Sequence, residues 1–200
     1  MIKVGGWTVE VSDKMPQKIA SAMSEINEKI GFGCTYEFFD YLGYQIINGK
    51  NHAVLAQQTV ITGKDVNNAV VIVFNEKHNS MDLAVTEIHT VVQSGGQIGG
   101  TKVEMSNEIP KEAQAAFDSA ISGWVGSTVK PFAYIGSQVT KGVDYIFAAT
   151  VKPVVPDAKE DLAIVTVNAM EHTINFQRML DVGANDNIED LKKLGYAFTW

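Results

Sequence analysis

Residues 8–11 (Thr8, Val9, Glu10, Val11) alternate polar and apolar, the period of a short strand with one face buried. The period then changes. Ile19, Ala20, Met23, Ile26, Asn27 and Ile30 recur at helical spacing and define one face of a helix. Met15-Pro16 opens that helix, because the N–H that proline lacks would be unpaired in the first turn anyway. Gly31-Phe32-Gly33 closes it, since glycine takes the positive φ of a C-cap. Stretches rich in β-branched and aromatic residues follow at 34–47, 51–61, 69–75 and 81–92 and predict strands. Turns fall at Asn48-Gly49, Gly63-Lys64-Asp65 and Lys77-His78-Asn79-Ser80. The same order then returns: a strand at 101–105, a helix at 110–122, and strands at 128–140, 144–155, 162–168 and 173–180. Its turns are Lys141-Gly142, Pro156-Asp157 and Met170-Glu171-His172. This pattern predicts an α+β protein of two tandem domains. In each, one helix packs on one face of a four- to five-stranded antiparallel sheet.

The recurrence extends to individual residues. Gly5-Gly6-Trp7-Thr8-Val9-Glu10-Val11-Ser12 returns as Gly99-Gly100-Thr101-Lys102-Val103-Glu104-Met105-Ser106, displaced by 94 positions. Tyr41-Leu42-Gly43-Tyr44-Gln45-Ile46-Ile47-Asn48-Gly49 returns as Tyr134-Ile135-Gly136-Ser137-Gln138-Val139-Thr140-Lys141-Gly142, displaced by 93. A one-residue change is therefore expected between Phe38 and Tyr41. A period this long means duplicated domains, each with its own core, not a solenoid. The expected boundaries are 1–93 for the first domain, 94–98 for a short flexible linker, 99–182 for the second domain and 183–200 for a tail. In the tail, Ile188, Leu191, Leu194 and Tyr196 suggest a short helix.

Composition narrows the function. Apolar residues make up 46% and charged residues 20%, ordinary for a globular chain, and no apolar run reaches the roughly 18 residues of a membrane helix. A net charge of −7 argues against nucleic acid and anionic membranes as partners. No signal peptide is visible, although trimming of one would leave the same start. One cysteine, Cys34, excludes an intramolecular disulfide. A cytoplasmic location is expected on these grounds.

Catalytic constellations are not evident. The acids form no pair placed for acid–base work, no glycine loop of phosphate-binding type is present, and His52, His78, His89 and His172 lack metal-ligand spacing. Cys34 opens an apolar strand, and Thr128 is taken as its counterpart, so it is expected to pack in the core. Neither an enzyme nor a cofactor is expected. What recurs instead is an apolar residue before a glycine pair (Val4 before Gly5-Gly6, Ile98 before Gly99-Gly100) and a Gln-x-x-x-Gly stretch at a strand-to-strand turn (Gln45 to Gly49, Gln138 to Gly142).

On these residues the chain resembles the cystatins, over 1–92 and again over 95–182. That family places glycine near the N-terminus, then a helix, then a Gln-x-Val-x-Gly hairpin tip, with a second tip between the last two strands. Asn51-His52 and Asp144-Tyr145 follow the two turn glycines where cystatins often carry Asn-Tyr. The run from Ala69 to Val85 is similar to the single-domain stefins. Ile46-Ile47 and Val139-Thr140 depart from the usual middle residues of the tip. The second tip lacks the family's Pro-Trp and carries His78 or His172 instead.

The resemblance implies a reversible, non-catalytic inhibitor of papain-like cysteine proteases, acting as a wedge in the active-site cleft. The implied contacts in the first domain are Val4, Gly5, Gly6, Gln45, Ile46, Ile47, Asn48, Gly49, Lys77, His78 and Asn79. In the second they are Ile98, Gly99, Gly100, Gln138, Val139, Thr140, Lys141, Gly142, Glu171 and His172. Glycine at such contacts lets backbone approach the target without a β-carbon between. The alternative is a non-inhibitory protein–protein interaction module on the same duplicated fold. A ligand-binding pocket under the helix is a third reading, for which no duplicated set of polar residues is present. Assembly is left open between a monomer and a strand-exchanged dimer. The second domain's N-terminal segment is tethered, whereas Val4 hangs from a free end. The first domain is therefore expected to inhibit more strongly, and separately expressed halves ranking the other way would contradict this.

Overall fold

The computed structural model describes residues 6–30, 33–61, 66–77, 83–95 and 99–180. The chain divides into two compact units, Met1–Ser94 and Gly95–Trp200. In the first, β1 (Trp7–Ser12) leads into α1 (Gln17–Ile30), then β2 (Cys34–Ile46), β3 (Lys50–Val60), β4 (Val66–Glu76) and β5 (Leu83–Val92). The strands form one antiparallel sheet in the order β1-β2-β3-β4-β5. Pro16 starts the helix, its carbonyl accepting from the N–H groups of Ile19 and Ala20 at 2.9 and 3.0 Å. Ile19, Ala22, Met23 and Ile26 then pack on Tyr36, Tyr41, Val54, Ala56, Val70, Ile72 and Phe74. Asn27 shares that helix face for a different reason. Its Nδ2 donates to the Tyr36 carbonyl at 3.0 Å, and its Oδ1 accepts from the Tyr36 N–H at 2.9 Å.

The second unit repeats the plan with β6 (Lys102–Ser106), α2 (Lys111–Ile121), β7 (Ser127–Thr140), β8 (Gly142–Pro153), β9 (Asp161–Asn168) and β10 (Ile174–Arg178). Its sheet runs β10-β9-β8-β7-β6. Ala113, Ala116 and Phe117 pack on Tyr134, Phe147, Val165 and Phe176, with the Phe117 and Phe147 rings edge-to-face at 5.4 Å.

The expectation of an α+β chain is corrected. Among the described residues, ten strands in two five-stranded antiparallel sheets dominate, and the two helices are only 14 and 11 residues long, so the structure is mostly β. The helical face stood out because it faces a core on one side only. The long strands gave a weaker signal because they are apolar on both faces. Val54, Ala56, Val70 and Ile72 join the helix-side core, yet their alternating neighbours Ala53, Leu55 and Val71 are also fully buried. A strand buried on both faces reads as a continuous apolar run, not as an alternation.

The position of the one-residue change is also corrected. β2 shifts register between Phe38 and Asp40 and again between Tyr41 and Gly43, and β7 does so between Pro131 and Ala133 and between Tyr134 and Gly136. The two pairings match at a displacement of 93 throughout, from Cys34↔Val60 with Ser127↔Pro153 to Ile46↔Lys50 with Val139↔Val143. The change therefore lies upstream of β2, and Ser127, not Thr128, is the counterpart of Cys34. Residue likeness alone could not place it, whereas the paired bulges can. Cys34 itself is half-buried against the core, with Sγ 3.6 Å from the Tyr36 hydroxyl.

Between its bulges and its tip, β2 carries a glycine against which β1 lies closely. Gly43 has φ +138, and a β-carbon there would overlap the Thr8 carbonyl oxygen. Gly136 repeats this against Lys102, with φ +158. We expect Gly43→Ala and Gly136→Ala each to cost about 1–3 kcal/mol or more. Gly33, with open space at its β-carbon position, should accept alanine within about 0.5 kcal/mol. Thermal denaturation of the three variants is the check.

Candidate functional site

The β2–β3 hairpin closes with the Ile46↔Lys50 pair, leaving Ile47, Asn48 and Gly49 as its tip. Asn48 (φ 50) and Gly49 (φ 112) both take the left-handed region, which asparagine tolerates and glycine favours. Gly49 has a second constraint, because a β-carbon there would overlap the carbonyl oxygen of Glu76 at the end of β4. The first tip thus leans directly on the base of the second. Ile46 is 66% exposed and Ile47 37%, so two branched apolar side chains stand out from it. The Lys50 ammonium lies 4.1 Å from the centre of the Tyr44 ring. Trp7 pairs with Gln45, which brings Gly6 beside the same hairpin. Lys77 continues β4 toward the second tip. Val4, Gly5, His78 and Asn79 lie outside the described residues, as do the helix-closing Gly31-Phe32, the Gly63-Lys64-Asp65 turn and the tail from 183.

In the second unit the corresponding groups are held together by side chains. Gln138 Nε2 donates to the Gly99 carbonyl at 2.9 Å, tying the N-terminal segment to the β7–β8 hairpin. Val139, at the position of Ile46, is 69% exposed. Gly142 (φ 99) would bring a β-carbon to 2.9 Å from that of Met170 in the second tip, and Met170 is itself 65% exposed. Lys141 Nζ and Glu171 Oε1 pair across the two tips at 3.1 Å. Thr140 flanks the first tip, its hydroxyl accepting from Asn168 Nδ2 at 3.4 Å. Ile98 lies outside the described residues.

Several expected contacts have structural duties in their own unit. Gln45 is only 7% exposed, and its Oε1 accepts from Asn51 Nδ2 at 3.2 Å, so it braces the hairpin from within. Gly100 lies against the backbone of Gly95, whose N–H donates to the Thr101 carbonyl at 2.9 Å. His172 turns toward α2, where its Nδ1 shares a 3.1 Å hydrogen bond with the Ser119 hydroxyl. Gly6, by contrast, has open space where a β-carbon would stand, so no packing demands glycine there.

Sequence reasoning missed two asparagines. Asn168 Nδ2 donates to Asp144 Oδ1 at 2.6 Å and to the Lys141 carbonyl at 3.3 Å, while its Oδ1 accepts from the N–H groups of Met170 and Glu171 at 3.0 and 2.7 Å. Asn75, opposite Asn51 as Asn168 is opposite Asp144, donates to Asn51 Oδ1 at 2.6 Å and to the Asn48 carbonyl at 3.5 Å. The two stand 93 positions apart, so extending the repeat to β4 and β9 would have found them.

Beneath the first unit's tips runs a second feature with no duplicate. The Tyr41 hydroxyl bonds His52 Nδ1 at 2.9 Å, His52 Nε2 bonds Glu76 Oε2 at 3.3 Å, and Glu76 Oε1 pairs with Lys18 of α1. Their counterparts in the second unit are Tyr134, Tyr145, Ala169 and Glu112.

Among the described residues, no helix is long and apolar enough to cross a membrane. Comparison with known proteins gives no match: no family model matches the chain, and no curated protein matches it.

Burial lowers the pKa of His52, outweighing its hydrogen bond to Glu76, while the bond from Lys18, followed by that from His52, lowers the pKa of Glu76. Both groups bind protons less readily folded than unfolded. Stability is therefore complete above both ordinary values, 6.5 and 4.5, and falls as pH drops through each. We expect His52→Gln to flatten the melting-temperature change between about pH 7 and about pH 5 while leaving the fall at lower pH. A melting series of the two proteins checks this.

Proposed function

We propose that the chain is a reversible, non-catalytic inhibitor of papain-like cysteine proteases, built from two cystatin-like units that each offer a blunt edge to the target's cleft. The observation that carries the reading is one juxtaposition, present twice. A glycine-bearing N-terminal segment, a first hairpin tip and the base of a second tip meet at one end of each sheet. Branched apolar side chains project there from equivalent positions, Ile46 and Val139. A tip braced from behind arrives with little conformational freedom left to lose. Such an edge presents no chemistry of its own. It blocks by filling, with apolar side chains for the cleft wall and backbone for its floor. The cytoplasm is the compartment this reading carries.

One observation favours the interaction-module alternative. Gly43, Gly49, Gly136 and Gly142 are all explained by tight contacts inside their own units, so their recurrence does not require a protease. Glycine variants at these sites would disturb the fold and the edge together, which makes them poor probes of function.

Exposed apolar residues are better probes. Titrating active papain of known active-site concentration with the 200-residue chain is expected to block one or two protease molecules per chain. Ile46→Asp and Val139→Asp should each weaken their own unit's binding about 10- to 100-fold, the equivalent of losing one buried branched side chain. Melting temperature should barely move. No inhibition across a small panel of papain-like proteases would favour the interaction module.

A further inference from the structure

We infer that Asn168 is a positioning residue that locks the two hairpin tips of the second unit into one edge, and that Asn75 holds the first tip of the first unit through the same donor group. Contact made at one tip then fixes the other. What the edge binds rests on the inhibitor reading above. How the edge is built does not.

The inference comes from the chemistry of the amide group. A primary amide offers two donor hydrogens on one side and an acceptor oxygen on the other. Asn168 uses both sides, and they point at different hairpins. Its NH₂ group reaches the β7–β8 tip through the Lys141 carbonyl and the Asp144 carboxylate. Its oxygen collects the N–H groups of Met170 and Glu171, which form the β9–β10 tip. With 9% of its surface exposed, the side chain lies where unmade hydrogen bonds are costly. The backbone adds one further tie between the hairpins, from the Ala169 N–H to the Val143 carbonyl at 2.9 Å, and the His172 N–H closes the second tip on the Asn168 carbonyl at 3.0 Å.

The same side chain recurs at the same register position in the first unit, with the same first-tip partners. Asn75 meets the Asn48 carbonyl, the counterpart of Lys141, and the Asn51 side chain, the counterpart of Asp144. Asn51 and Asp144 differ in charge but both supply an acceptor oxygen. What is kept across the duplication is therefore donation by the asparagine. A carboxylate at 75 or 168 would have acceptors only and could not make that half of the link.

The test uses the whole 200-residue chain at a temperature where every variant is folded, so a purely stabilising role would leave binding unchanged. We expect Asn75→Ala/Asn168→Ala to raise the dissociation constant for carboxymethylated papain about tenfold, through lost preorganisation of the edge. In Asn168→Ala, amide exchange should quicken at Lys141, Gly142, Met170 and Glu171 together, while Phe147 and Val165 in the core keep their protection. Asn75→Asp/Asn168→Asp retains acceptors but no donor, and it should bind as poorly as the alanine pair. Unchanged exchange at either tip would overturn the lock. So would faster exchange with unaltered affinity, or full affinity in the aspartate pair. If the unmodified protein does not bind papain, the inhibitor reading fails, and the exchange measurement alone decides the lock.

Discussion

Everything at the hairpin end of each unit depends on how closely a first strand can approach a bent one. The carbonyl oxygens of Thr8 and Lys102 occupy the space where Gly43 and Gly136 would carry a side chain. Any other residue there would push β1 or β6 away from its neighbour. The bulges on either side of Tyr41 and of Tyr134 give β2 and β7 their bend, and bulges sharpen local twist. Together they bring the start of each unit beside the hairpin that follows its helix. Without that approach, the Trp7↔Gln45 pair and the bond between Gln138 and Gly99 could not form.

Much of this arrangement was legible in the residues. The order of elements, the duplication and the two hairpin tips follow from periodicity and turn chemistry. The balance of helix to sheet did not, because Ala53, Leu55 and Val71 are apolar for a second buried face that no alternation announces. The meaning of the recurring glycines was only half legible. Gly49 and Gly142 suggested contact with a target, but their own units already demand them. Gln45 suggested a contact and is a buried brace. Asn75 and Asn168 were passed over because an isolated asparagine in a strand carries no signal. Its importance lies in what it faces, and cross-strand register is not written in any short motif.

The units share a skeleton and differ underneath it. The strand pairings from β2 to β4 and from β7 to β9 coincide at one displacement, so the backbone of the edge was held fixed while its supports changed. In the first unit, a histidine, a glutamate and a lysine tie the hairpins to the helix. In the second, an ion pair joins the tips and a histidine anchors one of them to the helix. The two units thus join hairpin and helix through different side chains.

The Asn27 clamp has a consequence of a different kind. Sheet edges with open donors and acceptors invite strands from other molecules, the first step toward aggregation. β1 pairs with β2 only from Tyr41 to Gln45, so the stretch around Tyr36 would present such an edge. The amide of Asn27 occupies both the N–H and the carbonyl of Tyr36, as a neighbouring strand would. A single helical side chain thus acts as a strand surrogate and leaves a passing chain nothing to pair with at that point.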